Sequence, residues 1–187
     1  MKNTSPEVIR LNHLKPFFDT TTRLHRHIKA KTMKAHGSWK IQKDNSNTLL
    51  IKVNGAWNKE AAVLFSNEFK QIASTITNEP WAILISVQNS EIPIPEAMDV
   101  LQKLNEWSIT NGCRCEASIV SLFAHEEVFK RTRATKVQQQ QRGEKVNAPL
   151  DYEQRIFLSL SEGIDFLAEK GIKLATPISD VETWFSK

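Results

Sequence analysis

"PWAILISV", residues 80–87, decides how the rest of the chain is read. Five apolar residues, Trp81 to Ile85, follow one another without the alternation of a strand that faces water on one side. Such a run is too short for a membrane span and has the length of a strand. It predicts a central strand covered on at least one face, parallel to a neighbour reached through a helical crossover.

Both flanks supply the helices. Upstream, "WNKEAAVLFSNEFKQIAST" (57–75) places Ala61, Phe65, Phe69, Ile72 and Ile76 on one stripe. Asn58 is the expected N-cap, and Glu60 suits the positive end of the helix dipole. Downstream, "PEAMDVLQKLNEWSIT" (95–110) stripes Ala97, Val100, Leu101, Leu104 and Trp107, and Asn111-Gly112 closes it. Earlier still, "SWKIQKD" and "TLLIKVNGA" are two strands joined by the turn-forming "DNSN". Later come the strand "CEASIVSLF", a polar Gln-rich stretch with a helix starting near Glu126, and the short strand "YEQRIFLS". Ser159 and Glu162 have capping-box spacing before the helix "SEGIDFLAEKG", and in the last residues Trp184 and Phe185 are expected to tuck against the body. The predicted order is β-β-α-β-α-β-α-β-α, an α/β domain over residues 36–187 with a mixed sheet covered by helices. Its expected core includes Phe65, Phe69, Ile83, Ile85, Leu101 and Leu104.

These residues resemble a known family. The hairpin ending in "VNGAWN", the strand "WAILISV", the helix opening near "PEA", the strand "ASIVSL" and the closing "FLSLSEGIDFL" are similar to the STAS fold. That is the sulfate-transporter and anti-sigma-factor-antagonist domain, here in its divergent bacterial form, and the likeness spans roughly residues 36–171. It implies a single STAS-like domain; the anti-sigma mechanism of the regulatory members does not follow from it. In the regulatory members, the loop after the central strand carries an Asp-Ser pair at the next helix N-terminus, and a kinase phosphorylates that serine. Here the loop is "QNSEIPIPEA": Ser90 stands beside Glu91, no Asp-Ser pair is present, and the helix opens on Pro95-Glu96. The phosphosite is therefore not transferred to Ser90. Pro93 and Pro95 fix their own φ and push the residues before them towards extended geometry. The loop is expected to be a rigid platform that shows Glu91, Ile92 and Ile94.

The expected binding surface is the edge where the loops at Trp57–Asn58, Gln88–Pro95 and Ala124–Glu126 leave the carboxyl ends of neighbouring strands. Its candidate residues are Trp57, Asn58, Glu91, Ile92 and His125. Trp57 has two readings, a core anchor or the lip of a binding surface.

Enzymatic motifs are sparse. No serine sits in a Gly-x-Ser-x-Gly elbow, and six glycines leave little room for a phosphate cradle. Cys113-x-Cys115 lacks the spacing and the second ligand pair of a zinc site, so buried or incidental thiols in a reducing compartment are expected. His25, His27 and His36 are poor metal ligands because they lie in the N-terminal stretch. No catalytic residue, metal or cofactor is assigned.

Charge is uneven. Residues 1–35 carry eight basic side chains against Glu7 and Asp19, and the rest of the chain is slightly acidic. This stretch is expected to be a flexible extension: an organelle transit peptide, a basic arm, or sequence upstream of a start at Met33. The basic segment from Lys130 to Arg142 is a solvated loop or a site for phosphate or anionic lipid, and without interleaved aromatics it does not support nucleic-acid readout. The overall expectation is a non-enzymatic interaction or regulatory module of the bacterial cytoplasm with an unidentified protein partner. The alternative is a small-molecule or lipid carrier with an apolar cleft beneath the first two helices. A hydrolase or thiol enzyme ranks third.

Overall fold

The structure, a computed structural model, describes residues 34–121 and 152–187, all within the unit Met33–Lys187. The extension before residue 34, His25, His27, His125, the segment Lys130–Arg142 and the helix expected near Glu126 lie outside the described residues.

Strands β1 (Ser38–Asp44) and β2 (Thr48–Gly55) form the expected antiparallel hairpin, in register from Ser38 opposite Asn54 to Asp44 opposite Thr48. Asn47 turns the corner at φ 57°, a left-handed conformation that asparagine tolerates. From β2 the chain passes through α1 (Lys59–Ala73) to β3 (Trp81–Ser90), and then through α2 (Pro95–Thr110) to β4 (Cys113–Ile119). β5 (Glu153–Phe157) follows, then α3 (Leu160–Glu169) and α4 (Ile178–Ser186). The sheet order is β1-β2-β3-β4-β5, parallel throughout except for the first pair. "PWAILISV" therefore forms most of the middle strand, hydrogen-bonded to parallel neighbours on both sides.

Alternation along the strands builds two cores. Leu49, Ile51 and Val53 of β2 and Ile83 and Val87 of β3 face α1 and α2. Leu50, Ala82, Leu84, Ala117 and Ile119 face the other way, against Ile164, Phe166 and Leu167 of α3 and Val181 of α4. Each of these larger aliphatic side chains stabilises the fold by about 1.5–3 kcal/mol on burial. Coverage on both faces is why the central strands carry apolar runs.

Local signals in the sequence act as written. Asn58 caps α1, its Oδ1 accepting the N–H of Ala61 at 3.1 Å. Ser159 and Glu162 form the complete reciprocal capping box of α3. Trp81 is fully buried and donates its indole N–H to the Asn111 carbonyl at 2.8 Å, which pins the end of α2 to the start of β3.

Two expectations need correction. β4 begins at Cys113, earlier than "CEASIVSLF" indicates, because Cys113 pairs with Trp81 ahead of an irregularity in the ladder. The C-terminal stretch contains a helix, α4, entered at Pro177 and packing Val181, Trp184 and Phe185, at helical spacing, on the second core. Lys52, buried on β2, donates its ammonium to the Phe185 carbonyl at 2.6 Å, a favourable partner for the negative end of a helix.

Candidate functional site

Three adjacent strands end on the expected edge. β2 and β3 end together, Gly55 pairing with Ser90, and the Glu91 N–H reaches the Gly55 carbonyl at 3.0 Å. Two residues beyond Pro93's predecessor, the Ile94 N–H bonds to the Trp57 carbonyl at 3.3 Å. Ser121, just past β4, donates its hydroxyl to the Gln88 carbonyl at 2.8 Å. The loops at Trp57–Asn58 and Gln88–Pro95 are thus brought together, and the third, Ala124–Glu126, lies outside the described residues.

The proline loop has the geometry its sequence dictates. Ile94, preceding Pro95, is extended (φ −64°, ψ 157°), and Pro95 starts α2 at a position where its missing N–H is no loss. Glu91, Ile92 and Ile94 are exposed, the two isoleucines by 55% and 44%. Ser90 is turned inward and donates its hydroxyl to the Val87 carbonyl at 2.9 Å.

Trp57 and Asn58 do not stand with them on the surface. Trp57 is buried, 5.3 Å from the Trp39 ring and 5.1 Å edge-on from Phe65, with its indole N–H on the Asn54 carbonyl at 3.1 Å. Of its two readings, the core anchor holds and the exposed lip does not. Gly37 shows how closely it is packed: a Cβ there would stand 2.5 Å from the Trp57 ring. Asn58 is buried with both ends of its amide committed. Its oxygen accepts from Ala61 and His36, and its nitrogen donates to the Lys34 carbonyl at 2.9 Å.

Beneath the loop lies a cavity of about 210 Å³ between the sheet and helices α1 and α2. Its walls are the sheet residues Ile51, Ile83, Ile85 and Val87, faced by Phe65 and Phe69 of α1 and by Met98, Leu101 and Leu104 of α2. One edge of Trp57 also reaches it, and Glu91, Ile92 and Pro93 form part of its rim. The cavity explains why Ile85 and Leu101, expected in the closed core, are only half-buried, whereas Phe65, Phe69, Ile83 and Leu104 are buried.

A polar group completes the lining: Asn105, Ser108, Glu116 and Gln154. Glu116 stands beside Ile83 on the sheet face that is otherwise apolar. Its Oε1 accepts from Ser118 at 2.8 Å and from Gln154 at 2.9 Å, and its Oε2 is 3.3 Å from the Tyr152 hydroxyl. These residues carry no motif and were not singled out in the sequence. The available signal was the alternation in "CEASI", where Glu116 and Ser118 share one face and Cys115, Ala117 and Ile119 the other.

The two thiols are buried on opposite faces of β4. Burial pushes the Cys113 thiol well above its ordinary value, helped by nearby Glu116, and pushes Cys115 up to about 11. Among the described residues, no group of three His, Cys, Asp or Glu is arranged to hold a metal, and no helix is long and apolar enough to cross a membrane.

No protein-family model matches the sequence, and no curated protein sequence matches it. Solved structures do. An uncharacterised DUF3478-family protein with a SpoIIAA-like fold from Shewanella loihica PV-4 superposes with a TM-score of 0.50 at 16% identity, covering 73% of this chain and 97% of its own. An anti-sigma factor antagonist from Mycobacterium paratuberculosis gives 0.47 at 11% identity, covering 70% of this chain and 95% of its own. With the ββαβαβ run, the parallel central strands and the helices on both faces, the chain has a SpoIIAA-like, STAS-like α/β fold.

Proposed function

We propose that the chain is a non-enzymatic protein-interaction or regulatory module of the bacterial cytoplasm, working through the rim formed by Glu91, Ile92 and Ile94. One observation carries this reading. Two large aliphatic side chains stand exposed on a loop whose ends are tied to Gly55 and Trp57 and whose backbone is stiffened by two prolines. Exposed aliphatic groups held in place bind with little ordering entropy, which favours a fixed docking platform over a switched one. The inward turn of Ser90 and the absence of an Asp-Ser pair agree with a platform that is not controlled by phosphorylation.

The test is a capture experiment from extract of the source cell, comparing the wild-type chain with the triple variant Glu91→Ala, Ile92→Ala, Ile94→Ala. All three side chains are exposed, so the variant is expected to keep the fold and to lose proteins that the wild type retains. Capture of the same proteins at the same strength by both would place the surface elsewhere. A small-molecule role rests on a separate observation, the cavity beneath the loop, whose walls are other residues and whose rim includes Glu91 and Ile92.

A further inference from the structure

We infer that the cavity between the sheet and helices α1 and α2 is a binding site for a small amphipathic amine, with the apolar body against Ile85 and Leu101 and the ammonium group at Glu116. The inference goes beyond the interaction reading and centres on Glu116 and the cavity walls, sharing only Glu91 and Ile92 at the rim with that surface.

Size sets the first limit. An apolar cavity of about 150 Å³ takes benzene, so 210 Å³ corresponds to a guest of about eight to ten non-hydrogen atoms. A nucleotide or a long acyl chain would not fit wholly inside it. The walls set the second limit, because aliphatic and aromatic side chains from β2, β3, α1 and α2 surround the space and reward an apolar body.

Charge selects the head group. Among the described residues, the lining contains two carboxylates, Glu116 within it and Glu91 at its rim, and no lysine, arginine or histidine. An anion entering the space would meet like charge in surroundings of low dielectric, where repulsion is strong. Glu116 is the fixed one of the pair. Ser118 and Gln154 hold its Oε1, and among the described residues Oε2 meets the longer contact from Tyr152, which leaves acceptor capacity on that oxygen. None of the ion pairs formed among the described residues involves Glu116. A primary ammonium supplies a positive charge and charge-assisted hydrogen bonds, which are about twice as strong as neutral ones. A hydroxyl supplies a donor without the charge.

Three probes of similar size separate these classes: phenethylamine, 2-phenylethanol and phenylacetate. Each is titrated into the full-length chain while the indole N–H of Trp57 and the methyls of Ile85 and Leu101 are followed by NMR. Phenethylamine should give saturable shifts at these groups, the alcohol should bind about tenfold more weakly, and phenylacetate should give none. Glu116→Gln should weaken phenethylamine by about tenfold and leave the alcohol within about twofold. Leu101→Trp, which fills the cavity from a half-buried position, should abolish binding of both. Phenylacetate binding as tightly as phenethylamine, an unchanged amine affinity in Glu116→Gln, or no saturable shift with any probe would each overturn the inference. If Glu116→Gln does not fold, Leu101→Trp decides: amine binding that persists in it overturns the inference, and its loss with a well-dispersed spectrum supports it.

Discussion

Asp44, the last residue of β1, accepts both the backbone N–H of Thr176 at 2.9 Å and its hydroxyl at 2.5 Å, from 132 residues further along the chain. Its second oxygen accepts the N–H groups of Ala175 and Ser46. One buried carboxylate therefore holds the hairpin turn and the approach to α4 together.

Burial alone would raise the Asp44 carboxyl, but the hydrogen bonds from Ser46, Thr176 and Ala175 outweigh it and hold it well below the ordinary carboxylate range. A carboxyl held low when folded takes up its proton first in the unfolded chain. Its contribution is whole above about pH 4, near the unfolded value, and is lost as the pH falls below that. Melting curves between pH 5 and 2 should show a steep loss of stability in the wild type and a shallower one in Asp44→Asn. Asp44→Ala should cost about 2–3 kcal/mol at neutral pH, since several donors lose a charged acceptor.

That link shows where the sequence stops being informative. The hairpin, both crossover helices, the Asn58 cap and the Ser159 capping box were legible because each is written within a few residues: an alternation, a stripe, a side chain three positions from its partner. Asp44 was unremarkable in "QKDNSN" because its partners lie at the far end of the chain. The coda hid its helix for the same reason, since Val181, Trp184 and Phe185 make a short apolar face that only the sheet completes. At the site, the proline loop was readable from Pro93 and Pro95. Trp57 could not be placed from its position after a strand, because its burial depends on Trp39, Phe65 and the bare backbone of Gly37. Glu116 read as the polar face of an ordinary strand, and only the packing of α2 turns that face into a cavity wall.

Asn58 is expected to act on stability and not on binding. Asn58→Ala removes the α1 cap and both ties to residues 34–36, and should cost about 1–2 kcal/mol. Asn58→Asp keeps an acceptor for Ala61 and His36 but sets a carboxylate oxygen against the Lys34 carbonyl, so only part of the stability should return. Chemical denaturation of the two variants checks the order, and equal losses would show that the amide nitrogen matters more than the cap.

The thiols should be inert in the folded chain. The thiolate is the reactive form, and burial raises both groups. At pH 8 an aromatic disulfide reagent should label Cys113 and Cys115 slowly, and both should react at once in denaturant. Fast labelling without denaturant would mean that β4 opens on the timescale of the assay, because neither sulfur is accessible while it is paired with its neighbours.

Gly163 sets how closely α3 approaches the sheet. It lies in the helix, where alanine is worth about 1 kcal/mol more than glycine on intrinsic propensity alone. A Cβ there would stand 2.6 Å from the Cδ1 of Ile119 and 3.3 Å from that of Leu84, and both partners are buried. Ile119 is fully enclosed on β4 and cannot swing its end methyl into solvent. Overpacking of this kind costs about 1–3 kcal/mol, which exceeds the propensity gain, so Gly163→Ala should lower the melting temperature. Ile119→Val removes the methyl in conflict and by itself should cost about 0.5–1.5 kcal/mol. Combined, the two changes should be more stable than the sum of their separate effects, because the new Cβ occupies the space the methyl leaves. Strict additivity in that double-mutant cycle would show that α3 shifts away from the sheet instead of meeting Ile119.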